Sequence, residues 1–530
     1  MVPVALVVVA VSLLRVALTT PQSLDDSFIV LVYARHLVAT GSFYWNVEAG
    51  SVDGFTSVLD VLVKAMAMVL HRDGIAAGFW ATLACHVGAT LVGLWSVFRI
   101  ATGAAAHRLI LAATFGLVVA SSPSLAQATA YLLEGPLAVL VALAGCALVL
   151  RDRPSGGAIA ASGALLIATA LARPELVPIA LVFAGFFAYD HDELPPHRRL
   201  APLYILGAAL IVYFTWRLVV FGTWAPNTYY AKTSDSRWYE IRDGWDYVLA
   251  YASHPFHATL VIGMALAPLL ALAPWRTAVW RRRFLLASGT ALLVIASVIV
   301  SGGDSYPGAR FLALPIVMYV FALAIAVAHL VAWHRFAAFG VLAVTGIVQL
   351  CMLRVGDGLA AMAEWPVREE HYACEIAAVQ ALVEAAPNTR WSQTDCQRVK
   401  WFFDDVFVKD ETGLNDREIA HLPWPEPNRW GKIDPRRILS SRPEIYLFLG
   451  PQFFSARPLA AIPVPKLLPD LTARPTALLG STVPWDVWTE LAAQYRTATI
   501  PACHGGYLNF LVRNDVASRL RGDVVMLGPR

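Results

Sequence analysis

A chain of 530 residues has room for roughly three or four soluble domains, yet 57% of it is hydrophobic and only 15% charged. Soluble domains carry about 25% charged residues, so this chain lacks the polar side chains to cover such surfaces. Disordered, collagen-like and disulfide-scaffold classes are excluded with them. Its mean hydropathy of +0.57 is that of a polytopic membrane protein. The net charge of +3, from 41 basic and 38 acidic residues, gives no reason to expect a nucleic-acid partner.

Apolar runs predict eleven membrane spans, at roughly 3–20, 75–98, 107–121, 132–150, 156–172, 175–189, 200–221, 256–273, 284–300, 311–332 and 336–353. The first run lacks a basic leading region and a small-residue cleavage site, which favours a retained span over a signal peptide. The segments between runs alternate in character. One set holds Arg99 and Arg108, Arg151 and Arg153, Arg198 and Arg199, Arg276 with Arg281 to Arg283, and Arg335. Short arginine-rich loops stay cytoplasmic. The other set holds Asp25, Asp26, Glu48, Asp53, Glu134, Glu175, Asp235, Glu240, Asp243, Asp246 and Asp304, and the two interleave without a break when the N-terminus is inside.

The chain therefore divides into a membrane module over 1–354, with a first outer loop at 21–74, and a soluble α/β domain over 355–530 on the outer face. The latter has strand-like runs at 444–450 and 507–513 and a helix-like run at 374–386. At about 175 residues it can bury a core of its own. Cys374, Cys396 and Cys503 fall in this domain. An oxidising location predicts one disulfide among them, Cys374 with Cys396 across the shortest loop, with Cys503 as the competing partner.

The first outer loop is the most informative stretch. Ser23 and Asp26 form a helix-start signature and Gly41 the matching stop. Phe28, Leu31, Val32 and Ala39 make one apolar face, which predicts a helix lying on the membrane surface. Asp25 and Asp26 sit at its start, as caps or as chemistry. Arg35, His36, Trp45, Asn46 and Asp53 follow in the same loop. Three more outer segments are rich in polar side chains: LARPEL with Arg173 and Glu175, FGTWAPNTYYAKTS with Asn227, Tyr230 and Lys232, and SGGDSYPGARF with Asp304, Tyr306 and Arg310. Each alone suits a tight interfacial turn with a snorkelling base. Together they put carboxylates and cations on one face of the membrane and predict one shared polar cavity.

These segments also carry a family resemblance. An acidic pair after the first span, followed by YARHLVATG and VDGFTS, resembles the polyprenyl-phosphate-dependent glycosyltransferases of the GT-C fold. YLLEGPL (131–137), ARPE (172–175), FGTWAPNTYYAK (221–232), GGDSYPGARF (302–311) and GLNDREIAHL (413–422) are similar to the terminal arabinofuranosyltransferases of mycobacterial cell walls and their bacterial relatives. The segment usually read GLET is LLEG here, so the role of that threonine is unfilled.

The resemblance implies a GT-C module in the bacterial inner membrane that moves a pentose, arabinofuranose, from a polyprenyl-phosphate donor to an acceptor hydroxyl on the extracytoplasmic side. The acceptor is a cell-envelope glycan, lipid or protein. Mannosyl and aminoarabinosyl donors, and a lipid-linked sugar transporter or flippase, are the competing readings. On the transferase reading Asp25 or Asp26 takes the acceptor proton, and Arg310, Lys232 and Arg173 hold the donor phosphate. Asp304, Tyr306, Asn227, Tyr230, His36, Asp53 and Glu134 line the substrate cavity, although His36 also suits a hydrogen-bonded structural role. No cofactor is singled out. Relatives with this fold differ in their use of a divalent metal, and the residues do not decide the matter.

Overall fold

A computed structural model of the chain describes residues 1–19, 25–253, 255–304, 309–351, 373–394, 396–423, 436–447, 454–455, 458, 460, 485–520 and 525–527. The side chain of Asp25, all of Tyr306, and most of the Pro-rich stretch after His421 lie outside the described residues. All eleven apolar runs are helical: Val2–Ala17, Gly74–Ile100, Ala105–Ala120, Gly135–Val149, Gly156–Ala172, Val177–Asp190, Ala201–Phe221, Pro255–Leu266, Ala278–Val300, Ala313–His329 and Ala332–Cys351. Among the described residues, four helices are long and apolar enough to cross a membrane: Gly74–Ile100, Ala201–Phe221, Ala278–Val300 and Arg310–His329. Two bent pairs, Ala105–Ala120 with Pro123–Ala130 and Arg237–Ala252 with His257–Leu272, raise that number to six. The predicted eleven exceeds it because several apolar helices fall short of the ~20 residues a perpendicular crossing needs. Gly135–Val149, for example, has 15 residues.

Contacts divide the chain into two compact units. The first comprises Met1–Ser23, Thr56–Trp224 and Ser236–Met362; the second comprises Leu24–Phe55, Ala225–Asp235 and Ala363–Arg530. The division thus differs from a simple cut at residue 354, because Leu24–Phe55 and Ala225–Asp235 belong with the C-terminal part. In the first unit, Ala313–His329 is apolar all round and buried along almost its whole length, as a central helix must be. It packs against Ala278–Val300 and Ala332–Cys351. Local chemistry sets the helix ends. The side chains of Asp73, Ser155 and Thr277 accept first-turn N–H groups, and Gly222, left-handed at φ +69°, closes Ala201–Phe221.

The second unit is built on a seven-stranded sheet: β1 (Arg390–Gln393), β2 (Phe407–Asp410), β3 (Ile445–Leu447), β4 (Phe454–Ser455), β5 (Tyr495–Pro501), β6 (Tyr507–Arg513) and β7 (Met526–Leu527). The order is β2-β1-β3-β6-β5-β7, with β4 also pairing β6. β1 runs parallel to β2 and β3, and the other pairs are antiparallel. The edge strand β2 is met by Asn46, in the segment that follows helix Asp25–Thr40. The Asn46 side-chain amide donates to the Val408 carbonyl at 2.9 Å and accepts the Val408 N–H at 3.2 Å. It thereby takes the place of a neighbouring strand, as an exposed edge requires.

Helix Asp25–Thr40 stops at Gly41, as its sequence predicts. Its apolar face does not await lipid, however. Phe28 packs 6.2 Å from the Trp401 ring and 6.1 Å from the Phe402 ring, on helix Gln397–Phe402.

Cys374, on the helix over 373–385, is bonded to Cys503 in the turn between β5 and β6, with 5.6 Å between their Cα atoms. This corrects the expected Cys374–Cys396 pairing; Cys396 is buried beside helix Gln397–Phe402. The link closes a separation of 129 residues, so Cys503→Ser is expected to destabilise the second unit by about 2–4 kcal/mol. Denaturant unfolding under non-reducing conditions measures that loss. Cys396→Ser should leave the bridge in place, and peptide mapping that found Cys374 joined to Cys396 would contradict the assignment.

Candidate functional site

The first unit gathers four of the expected site residues. Arg310 opens a short 3-10 turn, Arg310–Leu312, that leads into Ala313–His329. Its Nε and Nη2 both donate to the buried Asp304 carboxylate, Nη2 at 3.1 Å from Oδ1. Gly303 makes the turn below them at φ +70°, and a Cβ there would stand 2.6 Å from the Tyr247 Cβ. Only glycine lets this backbone lie so close.

Arg173 ends helix Gly156–Ala172, where the following Pro174 disfavours a further helical residue. Its guanidinium pairs with Glu175 on one side and with Glu134 on the other. Burial works against its charge, but Glu175 and Glu134 outweigh that and raise its pKa. Arg173 lies 4.1 Å from the Phe311 ring centroid and Arg310 5.2 Å from the same ring. The Phe311 ring thus has two guanidinium groups against it, each steered by carboxylates. Such preset planar forks suit bidentate binding of phosphate oxygens.

The second unit gathers the others around the loop after β2. Asp410 accepts four hydrogen bonds: from the Thr412 N–H and hydroxyl, and from the Asn415 N–H and Nδ2. Asn415 Oδ1 accepts from the Tyr33 hydroxyl at 3.3 Å, and that hydroxyl accepts the Gly54 N–H at 3.1 Å. A Cβ on Gly54 would overlap the Asn415 side chain, so the VDG turn is fitted to this loop. Asn227 donates its side-chain amide to the carbonyls of Gly413 (2.8 Å) and Leu414 (3.0 Å), and its backbone N–H to the Asp53 carbonyl. Tyr230 stacks on His421 with centroids 4.3 Å apart. Lys232 ends the same short helix, Asn227–Lys232, half-buried.

His36 is held at both ring nitrogens, by the Tyr44 carbonyl and by Asp404, each at 2.8 Å. Arg35 and Lys400 reach the same carboxylate at 3.1 and 3.6 Å. Burial alone would raise the Asp404 pKa, but the His36 hydrogen bond, Arg35 and Lys400 prevail and hold it low. His36 and Asn227, both expected at the substrate, are thus buried and bonded within the protein. Asp26 starts helix Asp25–Thr40, half-buried. Asp304, Glu134, Arg173 and Arg310 belong to the first unit, whereas Asp26, His36, Asp53, Asn227, Tyr230 and Lys232 belong to the second. Among the described residues, no three His, Cys, Asp or Glu side chains form a group able to hold a metal ion.

Residues not singled out from the sequence complete both sets: Asp60, Lys64 and Phe311 in the first, Asp404, Asp410 and Asn415 in the second. Asp60 and Lys64 carried a helical four-residue spacing, and Asn415 lay in the GLNDREIAHL segment. Asp404 and Asp410 carried no local signal.

Asp410 gives a pH prediction. Burial pushes its carboxyl up to about 7, against the hydrogen bonds from Thr412 and Asn415. An unfolded Asp titrates near pH ~3.9, so between these values the folded chain holds the extra proton. The stability this group contributes is complete below about pH 4 and is lost as pH rises through about 7. Asp410→Asn is expected to remove that slope from the unfolding profile of the second unit; an unchanged slope would assign it to another group.

Comparison of the sequence with known protein families and with curated proteins gives no match. Two solved structures share the fold. ArnT from Cupriavidus metallidurans bound to undecaprenyl phosphate superposes with a TM-score of 0.55 at 13% identity, over 98% of this chain and 99% of that one. ArnT in its apo state gives 0.52 at 14%, over the same shares. ArnT has the GT-C fold, and at this identity the likeness speaks for architecture alone.

Proposed function

We propose that this protein is a GT-C glycosyltransferase of the bacterial inner membrane, which passes a pentose from a polyprenyl-phosphate donor to an acceptor hydroxyl on the outer face. The observation that carries the reading is a fold shared from end to end with ArnT, one of whose structures holds undecaprenyl phosphate. The paired guanidinium groups of Arg173 and Arg310 on Phe311 support it. The sequence resemblance favours arabinofuranose as the sugar and a cell-envelope glycan, lipid or protein as the acceptor. In this reading the eleven helices form the membrane module with a cytoplasmic N-terminus. The second unit then faces the extracytoplasmic side, as the alternation of arginine-rich and acidic loops requires.

The chemistry follows from these groups. The bond between the anomeric carbon and the phosphate oxygen breaks through an oxocarbenium-like state. The acceptor oxygen bonds to that carbon and gives its proton to Asp25 or Asp26. Negative charge gathers on the departing polyprenyl phosphate, where Arg310 and Arg173 stabilise it; Lys232 is a third cation for this role. Asp304, Glu134 and Glu175 hold the guanidinium groups in place before the substrate arrives, so little reorganisation accompanies the reaction.

Purified protein in proteoliposomes, supplied with labelled arabinofuranosyl, aminoarabinosyl or mannosyl polyprenyl phosphate and cell-envelope acceptors, tests the proposal. Transfer from the arabinofuranosyl donor with release of polyprenyl phosphate is expected. Preference for another donor would correct the sugar, and turnover of none would overturn the function.

A further inference from the structure

One buried cation plays no part in the steps above. Lys64 is wholly buried one turn after Asp60 on helix Val58–Leu70. Its ammonium donates to Asp60 Oδ2 at 2.7 Å and to the Leu132 carbonyl at 2.5 Å. Leu132 stands at φ +54°, a left-handed conformation that a branched apolar residue adopts only under constraint. Two backbone bonds, Leu132 N–H to Thr129 and Leu133 N–H to Ala128, close the turn. Glu134 follows two residues later, at the start of helix Gly135–Val149, and pairs with Arg173.

A buried ion pair rarely repays its desolvation over a neutral replacement, so stability alone is a weak reason for a lysine here. What the ammonium adds is a second, charge-assisted bond to a carbonyl in a strained turn. We propose that Lys64 is a positioning residue, holding the 131–134 turn so that Glu134 lies on Arg173 and sets the guanidinium that receives the donor phosphate. The last step rests on the function proposed above.

Lys64→Met leaves Asp60 buried and unpaired, so the informative variant is Asp60→Asn combined with Lys64→Met, which removes both charges. Donor and acceptor KM, kcat and the Kd for undecaprenyl phosphate are measured in the full-length protein. Donor KM and Kd are expected to rise roughly ten-fold or more, the worth of one hydrogen bond to a charged group, with acceptor KM unchanged. Placed in a Glu134→Gln background, the pair should add less than about two-fold, because both lesions act through the same contact.

Two results would overturn the assignment. Unchanged KM values with only a smaller active fraction would give Lys64 a role in folding alone. Effects that multiply in the Glu134→Gln background would mean that Lys64 acts on the donor directly. A wild-type protein that turns over no polyprenyl-phosphate sugar would instead remove the proposed function, and this inference with it.

Discussion

Replacing Asp26 or Asp25 by Asn is expected to abolish sugar transfer while the protein still folds and inserts. A positioned general base contributes about 10²–10⁴ in rate, so the catalytic aspartate should lose at least about 100-fold when its carboxylate becomes a carboxamide. Asparagine keeps the size of the side chain and its ability to cap a helix. If these residues merely start helix Asp25–Thr40, the variants should therefore keep their rate, with at most about 1 kcal/mol of stability lost. Initial rates at saturating donor, read beside thermal unfolding, separate the two cases. The variant with the larger loss identifies the base, and near wild-type rates in both would refute the catalytic assignment.

The second large effect is expected at Arg310. Arg310→Ala should raise the donor Kd by about 30-fold or more, since a hydrogen-bonded charge pair is worth roughly 2–5 kcal/mol when one partner is truncated. Arg310→Lys should fall between, because it keeps the charge but not the planar fork that meets Asp304 on one side. An arginine that only reached for lipid headgroups would be replaced by lysine almost without loss. Because Arg310→Ala also strands the buried Asp304 carboxylate, Arg310→Gln with Asp304→Asn serves as the control that leaves no charge unpaired. Should both variants bind donor like the parent, the phosphate site must be sought at Arg173 or Lys232.

The parts of this structure legible in the sequence are those fixed by neighbours along the chain. The apolar runs became helices of 12 to 27 residues, Gly41 ended helix Asp25–Thr40, and YLNFLVR formed β6 over its full length. Asp304 and Arg310, six residues apart, also met as a local pair. What sequence could not supply was the pairing of distant segments. His36 meets Asp404 across 368 residues and Asn46 meets Val408 across 362, and nothing in the periodicity of helix Asp25–Thr40 says whether its apolar face meets lipid or Trp401. The disulfide fails for a related reason. Loop-closure entropy grows only slowly with length, so spacing gives little ground for preferring Cys396 over Cys503 as the partner of Cys374. The two arginines were each visible in their turns, but Phe311, the ring they share, looked like one more aromatic at the start of a span.

On the proposed function, the Arg173–Arg310 cluster receives a polyprenyl phosphate. An experimental structure of the protein with undecaprenyl phosphate tests it most directly. The phosphate is predicted within hydrogen-bond distance of Arg310 and Arg173, with the Glu134 and Asp304 contacts retained. A phosphate bound away from both guanidinium groups, or no binding at saturating lipid, would rule out this phosphate site.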